Sequence, residues 1–387
     1  MRKRVVLINK YGALHPSATG RPVRKLADFL WENDIDVIVL SIRAPYKGQI
    51  SSTHEILPYR TIELADLYSG TNKYLRLLGN LADGFRLIIC SMFLPRHQMK
   101  IVLTDPSLIN VWAILFRPFF RSQLAFWTMD LYPEAFVSAG LVSCKNPIYR
   151  MITSLVYHHV PDFLITLGEQ QYRYLCRQYN KSSIPHIVLP CGICSIERAD
   201  IPFWRKNNQD KIVFCYAGNI GEAHNDVFLL ELIRQLNPEK HLFLLRLYGA
   251  KAQQILKEAS MSKSVIVLDY ITPAELQFVD ICVASLLPSW NHVCVPSKVV
   301  SAICSGIPVL YNANEESEGA YMFSDAIWLV SDSANIKENI AVFLGNLSDE
   351  DIVLKKKAAG KYTQSLLIME NDNLSVLLEI TKINKNK

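Results

Sequence analysis

The chain has no run of the ~18 to 20 apolar residues that a helix needs to cross a bilayer. Its longest candidate, Ser107 to Phe116, stops at Arg117. No secretory leader is expected, since Met1-Arg-Lys-Arg runs into a short apolar stretch at Val5 and no small-residue cleavage site follows. A cytoplasmic protein is therefore expected. The imbalance between basic and acidic residues is small, a net of +5 over 387 residues, which argues against a dedicated nucleic-acid binder. No His cluster and no second Cys-x-x-C accompanies Cys191-Gly-Ile-Cys194, so no metal site is expected, and the flanking pattern is not that of a thioredoxin-like redox motif. The nine cysteines lie mostly alone inside apolar runs (Cys90, Cys215, Cys282, Cys304), as small core hydrophobes of a reducing compartment do. Internal repeats, low-complexity tracts and the G-x-G-x-x-G dinucleotide fingerprint are absent too.

Hydrophobic residues are plentiful, at 50%, and the length is too great for one ordinary core. Short buried-strand runs alternate with helical periodicity: Val5 to Asn9, a Gly-containing loop, the helix Val23 to Asn33, then Asp36 to Leu40. Ile101 to Thr104, Gln123 to Trp127, Asp162 to Thr166 and His186 to Leu189 read as further strands, with a helix over Glu169 to Gln178. The polar stretch Ser195 to Lys211 breaks the pattern. The rhythm restarts with strands at Ile212 to Tyr216, Phe243 to Tyr248, Val265 to Leu268 and Ile281 to Leu286, and helices at Asp226 to Leu236, Ala250 to Ala259 and Pro273 to Phe278. The expectation is an α/β chain of two facing Rossmann-like β/α/β domains with an interdomain cleft. Their bounds are read as 1–198 and 212–365, joined by a linker at 199–211 and followed by a helix and basic tail at 366–387.

Three stretches are candidates for chemistry. In Asn291 to Leu310 (NHVCVPSKVVSAICSGIPVL), Pro296 suits a helix entrance, Ser297 can cap the first turn, and Gly306 can end the helix before a strand over Ile307 to Tyr311. A helix start bearing Ser297 and Lys298 is a ready anion site; the plainer reading is an ordinary helix of an α/β domain. In Phe214 to Asn225, the loop Gly218-Asn219-Ile-Gly221 lets the backbone approach a ligand. Asn225 reads as a helix cap and His224 as a surface loop residue, or the two together as a second grip on a phosphate. In Phe126 to Glu134, Asp130 lies just past a strand end, where ligands bind in such sheets, and Glu134 suits the first turn of a helix.

Taken in order, DLYPE, GNIGEAHN, the LYGAK turn (Leu247 to Lys251) and VPSK with SGIPV resemble the bacterial retaining glycosyltransferases of family four. The resemblance is strongest to the branch that builds O-antigen and capsular polysaccharide on a lipid carrier. It implies the GT-B fold and transfer with retention, without metal or cofactor, from a nucleotide-diphosphate sugar. It also implies roles. Lys298, Ser297 and the helix N–H groups would hold the leaving diphosphate, with Lys298 and Asp130 catalytic; Gly218, Asn219 and His224 would form the facing loop. Gly249, Tyr270 and Ile271 would lie near the base, Gly20 where donor and acceptor approach, and Asn291 or Glu318 at the donor sugar. The family's paired glutamates fall on Val293 and Ser301, and Glu222 and Ala223 stand in place of its Arg and Lys, which leaves charge neutralisation to Lys298.

Between Lys73 and Arg121 there are seven Lys/Arg against two Asp, interleaved with apolar clusters. These are core helices with solvated basic ends, or a face that lies on an anionic inner membrane and admits a lipid-linked acceptor. Two other functions stay open: a non-catalytic nucleotide-sugar-binding subunit of another transferase, and a sugar-nucleotide epimerase on the same fold. Donor sugar, base, acceptor, linkage and oligomeric state are not written in the sequence.

Overall fold

The structure, a computed structural model, describes residues 2–17, 19–44, 55–70, 72–192, 199–331 and 335–382, with the side chain of Lys73 outside that set. Cys194 of the Cys-x-x-C pair, the start of the polar connection and the lysine-rich end (383–387) lie outside the described residues. The chain divides into two compact units, Met1–Leu189 with Glu370–Lys387, and Pro190–Met369.

The first unit carries β1 (Arg4–Ile8), β2 (Asp36–Arg43), β3 (Arg60–Ala65), β4 (Met99–Val102), β5 (Gln123–Thr128), β6 (Phe163–Thr166) and β7 (His186–Val188). They pair in parallel in the order β3-β2-β1-β4-β5-β6-β7. The second unit carries β8 (Ile212–Asn219), β9 (His241–Tyr248), β10 (Val265–Val267), β11 (Ile281–Ser285), β12 (Val309–Asn312) and β13 (Ile327–Val330). Their order, also parallel, is β10-β9-β8-β11-β12-β13. Central strands are Val/Ile/Leu runs because helices cover both faces of a parallel sheet; Val5, Val6, Leu7 and Ile8 are all buried. In each unit the winding reverses beside the first strand, between β1 and β4 and between β8 and β11. The crevice at such a reversal is where doubly wound sheets bind ligands.

The helix Ser297–Cys304 follows β11 and ends as the sequence predicts. Gly306 takes φ +71, its N–H bonds to Ile303 O at 2.9 Å, and Ile307 N bonds to Ala302 O at 2.9 Å. That is the Schellman pattern, which satisfies the last carbonyls of the helix. The helix begins differently from the expectation. Pro296 is the N-cap, no side chain caps the turn, and Ser297 is already helical. The expected helix at Pro273 to Phe278 is a single 3-10 turn, Glu275–Phe278, and the strand after Gly306 starts two residues late because Pro308 cannot donate to the ladder. Strands β3 and β13 were not foreseen. Both are edge strands with partly solvated, polar or short sequences. Cys304, expected as a lone core thiol, is held in a disulfide.

Of the basic and apolar stretch at 73–121, part is core and part is exposed. Leu87, Ile88 and Phe120 are buried, whereas Tyr74, Leu75, Leu78, Phe93 and Phe119 face solvent. No helix among the described residues is long and apolar enough to cross a membrane.

Candidate functional site

In the second unit, several of the predicted residues converge at the mouth of β8 and β11. Gly218, near the end of β8, has φ +136, and a Cβ there would lie 2.8 Å from Lys298 Cε. The missing side chain therefore makes room for the aliphatic stem of Lys298, which reaches across from the first turn of its helix. Its Nζ donates to Asn219 O at 2.8 Å and lies 3.0 Å from His224 Nε2, 5.1 Å from the centre of the Tyr216 ring. Burial lowers the Lys298 pKa from 10.5 to about 8. The site thus holds a half-buried ammonium beside a helix N-terminus, where the backbone dipole also favours an anion.

The loop that faces Lys298 is knitted to the next turn. Ile220 N donates to Tyr248 O at 2.8 Å and Lys251 N to Ile220 O at 3.3 Å. Gly249, at φ +112, allows this closeness, since a Cβ there would lie 2.1 Å from Asn219 Oδ1. Lys251 Nζ donates to His224 O at 2.7 Å and pairs with Asp226 at 3.1 Å. Asn225 is the N-cap, its side chain accepting from Phe228 N at 3.1 Å, so the plainer of its two readings holds.

Other predicted residues belong to the same unit. Asn291 is buried and donates to Asn314 Oδ1 at 2.7 Å, while its own Oδ1 has no hydrogen-bond partner. Glu318 starts a short helix and is buried, next to Ser317, whose hydroxyl donates to Asn314 O at 2.8 Å. Val293, at the position of the family's first glutamate, packs in the core. Beyond β10, Tyr270 is exposed and Ile271 buried.

Gly20 and Asp130 belong to the first unit. Gly20 opens the helix Gly20–Glu32, where a Cβ would lie 2.3 Å from His15 O, so the loop after β1 can fold onto the helix entrance. Asp130 follows β5, and its backbone N–H donates to Thr104 Oγ1 at 3.2 Å. Burial, and then the neighbouring carboxylate of Asp105, raise its pKa to about 7. Asp105 follows β4, the strand next to β5; it accepts from Thr19 Oγ1 at 3.3 Å, and burial raises it too, against the lowering pull of Lys10. Two carboxyls at adjacent strand mouths cannot both ionise freely at neutral pH. Glu134 is a core residue: it sits in the first turn of Glu134–Ser138, buried, accepting from the Tyr157 and Tyr174 hydroxyls.

Sequence reading missed Asp105, Ser285 and the bond from Lys251 to the His224 carbonyl. Asp105 and Ser285 each lie at or just past the end of a strand flanking a winding reversal, and that position is the signal that would have found them.

No family model matches the chain. A probable glycosyltransferase of Pseudomonas aeruginosa, WbjE, is 24% identical over 323 residues, which cover 77% of this chain and 78% of that protein. Sucrose-phosphate synthase from Thermosynechococcus elongatus is similar in structure, with a TM-score of 0.73 at 15% identity over 98% of this chain and 99% of that one. Anabaena HepE in complex with UDP and glucose gives a TM-score of 0.66 at 11% identity, over 97% and 100%. This likeness establishes the two-domain, Rossmann-like GT-B fold.

Proposed function

We propose that this protein is a glycosyltransferase that takes a sugar from a nucleotide-diphosphate donor. The observation that carries the reading is the Lys298 ammonium, held at the β8–β11 reversal by Asn219 O and His224 beside a helix start. A departing nucleoside diphosphate gathers negative charge, and a fixed cation with helix N–H groups lowers the barrier to that charge. Each such donor is typically worth ~3 to 4 kcal/mol. Similarity to a probable glycosyltransferase and to a structure holding UDP and glucose supports the same class of donor.

In the finer reading, transfer proceeds with retention and Lys298, not a metal, meets the charge of the leaving group. The bond from the anomeric carbon to the diphosphate breaks as a bond to the acceptor hydroxyl forms on the same face. Asp130, its pKa raised to about 7, serves as the acidic group on the acceptor side and takes the proton that the acceptor hydroxyl gives up as the new bond forms. The acceptor is a lipid-linked or nascent polysaccharide, and the exposed Tyr74, Leu75, Leu78, Phe93 and Phe119, set among basic residues, rest on an anionic inner membrane surface.

A thermal-shift panel of nucleoside diphosphates and their sugars tests the reading. A ligand held at about 100 times its dissociation constant adds about 2.7 kcal/mol of stability. Failure of every nucleotide to shift the wild-type transition would overturn it. The missing glutamates (Val293 and Ser301) favour one rival, a donor-binding subunit without catalysis. Binding with neither transfer nor donor hydrolysis would establish that rival.

A further inference from the structure

We propose that His224 is a positioning residue, which aims the Lys298 ammonium through its own ring instead of touching the donor. This deepens the glycosyltransferase reading and rests on it for its purpose, though not for its test. The tautomer follows from geometry. His224 Nδ1 is 2.7 Å from Ser285 O, and a carbonyl can only accept, so Nδ1 carries the proton. Nε2 then has a lone pair, and at 3.0 Å from Lys298 Nζ it accepts an ammonium N–H. Asn219 O takes a second at 2.8 Å. An ammonium has three N–H donors, so these two bonds leave one for an incoming phosphate oxygen.

The ring is itself held on several sides. Its backbone N–H donates to Gly221 O at 3.1 Å, and its carbonyl accepts from Lys251 Nζ at 2.7 Å. Ser285 Oγ accepts from the next backbone N–H, Asn225, at 3.1 Å. The charged and titratable groups around the pair are Lys251 with Asp226 from the following turn and helix, Tyr216 from β8, and Cys294 ahead of the Lys298 helix. Burial first, then the Lys298 and Lys251 ammoniums, push the His224 pKa down to about 3. The ring is therefore neutral near pH 7 and sets no charge of its own beside the Lys298 ammonium.

The test reads Lys298 directly, in the full chain without ligand. Lysine labelled with carbon-13 at Cε is titrated by NMR from about pH 6 to 11 in the wild type, His224→Leu and His224→Gln, with Lys298→Ala assigning the signal. Losing one acceptor destabilises the ammonium by the ~1.5 to 3 kcal/mol of a hydrogen bond to a charge, so the His224→Leu break should fall by about one to two pH units. His224→Gln restores an acceptor oxygen near the Nε2 position and should hold the break close to its wild-type value. A loop that is merely loosened would lower the melting temperature of both variants without separating their breaks. An unmoved Lys298 break in folded His224→Leu, or equal shifts in Leu and Gln, overturns the proposal. A parallel titration with each nucleoside diphosphate of the panel separates the two readings: a moved break in a protein that binds none of them leaves the positioning role standing and removes the glycosyltransferase reading.

Discussion

Replacing Lys298 with alanine should separate activity from stability. The ammonium is half-buried with two neutral acceptors, and its pKa falls from 10.5 to about 8. That drop corresponds to about 3 kcal/mol of unfavourable burial while the group is charged at pH 7. Against it, the stem packs over Gly218 and the ammonium lies over the Tyr216 ring, contacts worth about 1 to 2 kcal/mol. Lys298→Ala should therefore melt at or above the wild-type temperature at pH 7. The sign fixes the pH dependence. Between about pH 8 and 10.5 the folded wild type binds fewer protons than the unfolded chain, so its stability rises with pH there; the variant lacks that slope. Turnover behaves oppositely. Losing a preorganised cation at the leaving group costs ~3 to 4 kcal/mol, two to three orders of magnitude in rate. Single-turnover transfer or donor hydrolysis with the nucleotide-sugar found by thermal shift, beside calorimetry from pH 7 to about 10, measures both. Near-normal turnover would remove Lys298 from the mechanism, and a large loss of stability at pH 7 would refute the burial argument.

Gly249→Ala should destabilise the second unit by about 3 kcal/mol, since a Cβ at φ +112 meets Asn219 Oδ1 at 2.1 Å and the Ile220 carbonyl oxygen at 2.9 Å, and the latter is backbone; a melting temperature within a degree of wild type would contradict this. Asp130→Asn should stabilise the protein by about 2 to 4 kcal/mol above pH 7 while abolishing transfer, because a carboxyl raised from 3.8 to about 7 opposes folding once ionised. Its advantage should shrink as pH falls through 7 and vanish near 4, and a gain that did not depend on pH would point to another cause. Flotation with anionic vesicles should be strong at low salt, lost at about 0.5 M salt, and weakened when Tyr74, Phe93 and Phe119 are all changed to serine; equal binding to neutral vesicles would dismiss the basic face.

The doubly wound fold was legible because its central strands are buried on both faces and so appear as uninterrupted apolar runs. Strands β3 and β13 escaped notice because edge position lets them be polar or short, as Arg60–Ala65 and Ile327–Val330 are. The helix end at Gly306 could be read since a Schellman turn is local chemistry; the helix start could not, because Pro296 and Ser297 both suit an entrance and tertiary packing chose between them. Of the site, the glycines and Lys298 were visible as residue types. What they do to each other was not. The bond from His224 to the Ser285 carbonyl joins residues 61 apart, and Lys298 reaches His224 across 74. Asp105 sits in a Thr-Asp-Pro-Ser stretch that nothing local marks out, and only the adjacency of β4 and β5 makes it a neighbour of Asp130.

That long-range wiring changes what the glycine loop means. Taken alone, Gly218 suggests a backbone cleared for a ligand. In the folded unit the cleared space is filled by the stem of Lys298, whose Cε would be 2.8 Å from a Cβ at position 218. Glu222 and Ala223 provide no cation on that loop, and on the proposed reading the charge comes from Lys298 on the opposite helix, which needs a channel through which to reach. Gly218 is that channel, Asn219 O and His224 Nε2 are its far wall, and Ser285 fixes the ring that completes it. A loop that bound phosphate through its own side chains would not need a glycine at the point where a lysine from another element passes. On the proposed reading, the leaving diphosphate meets one ammonium whose direction is set by two neutral acceptors, Asn219 O and His224 Nε2.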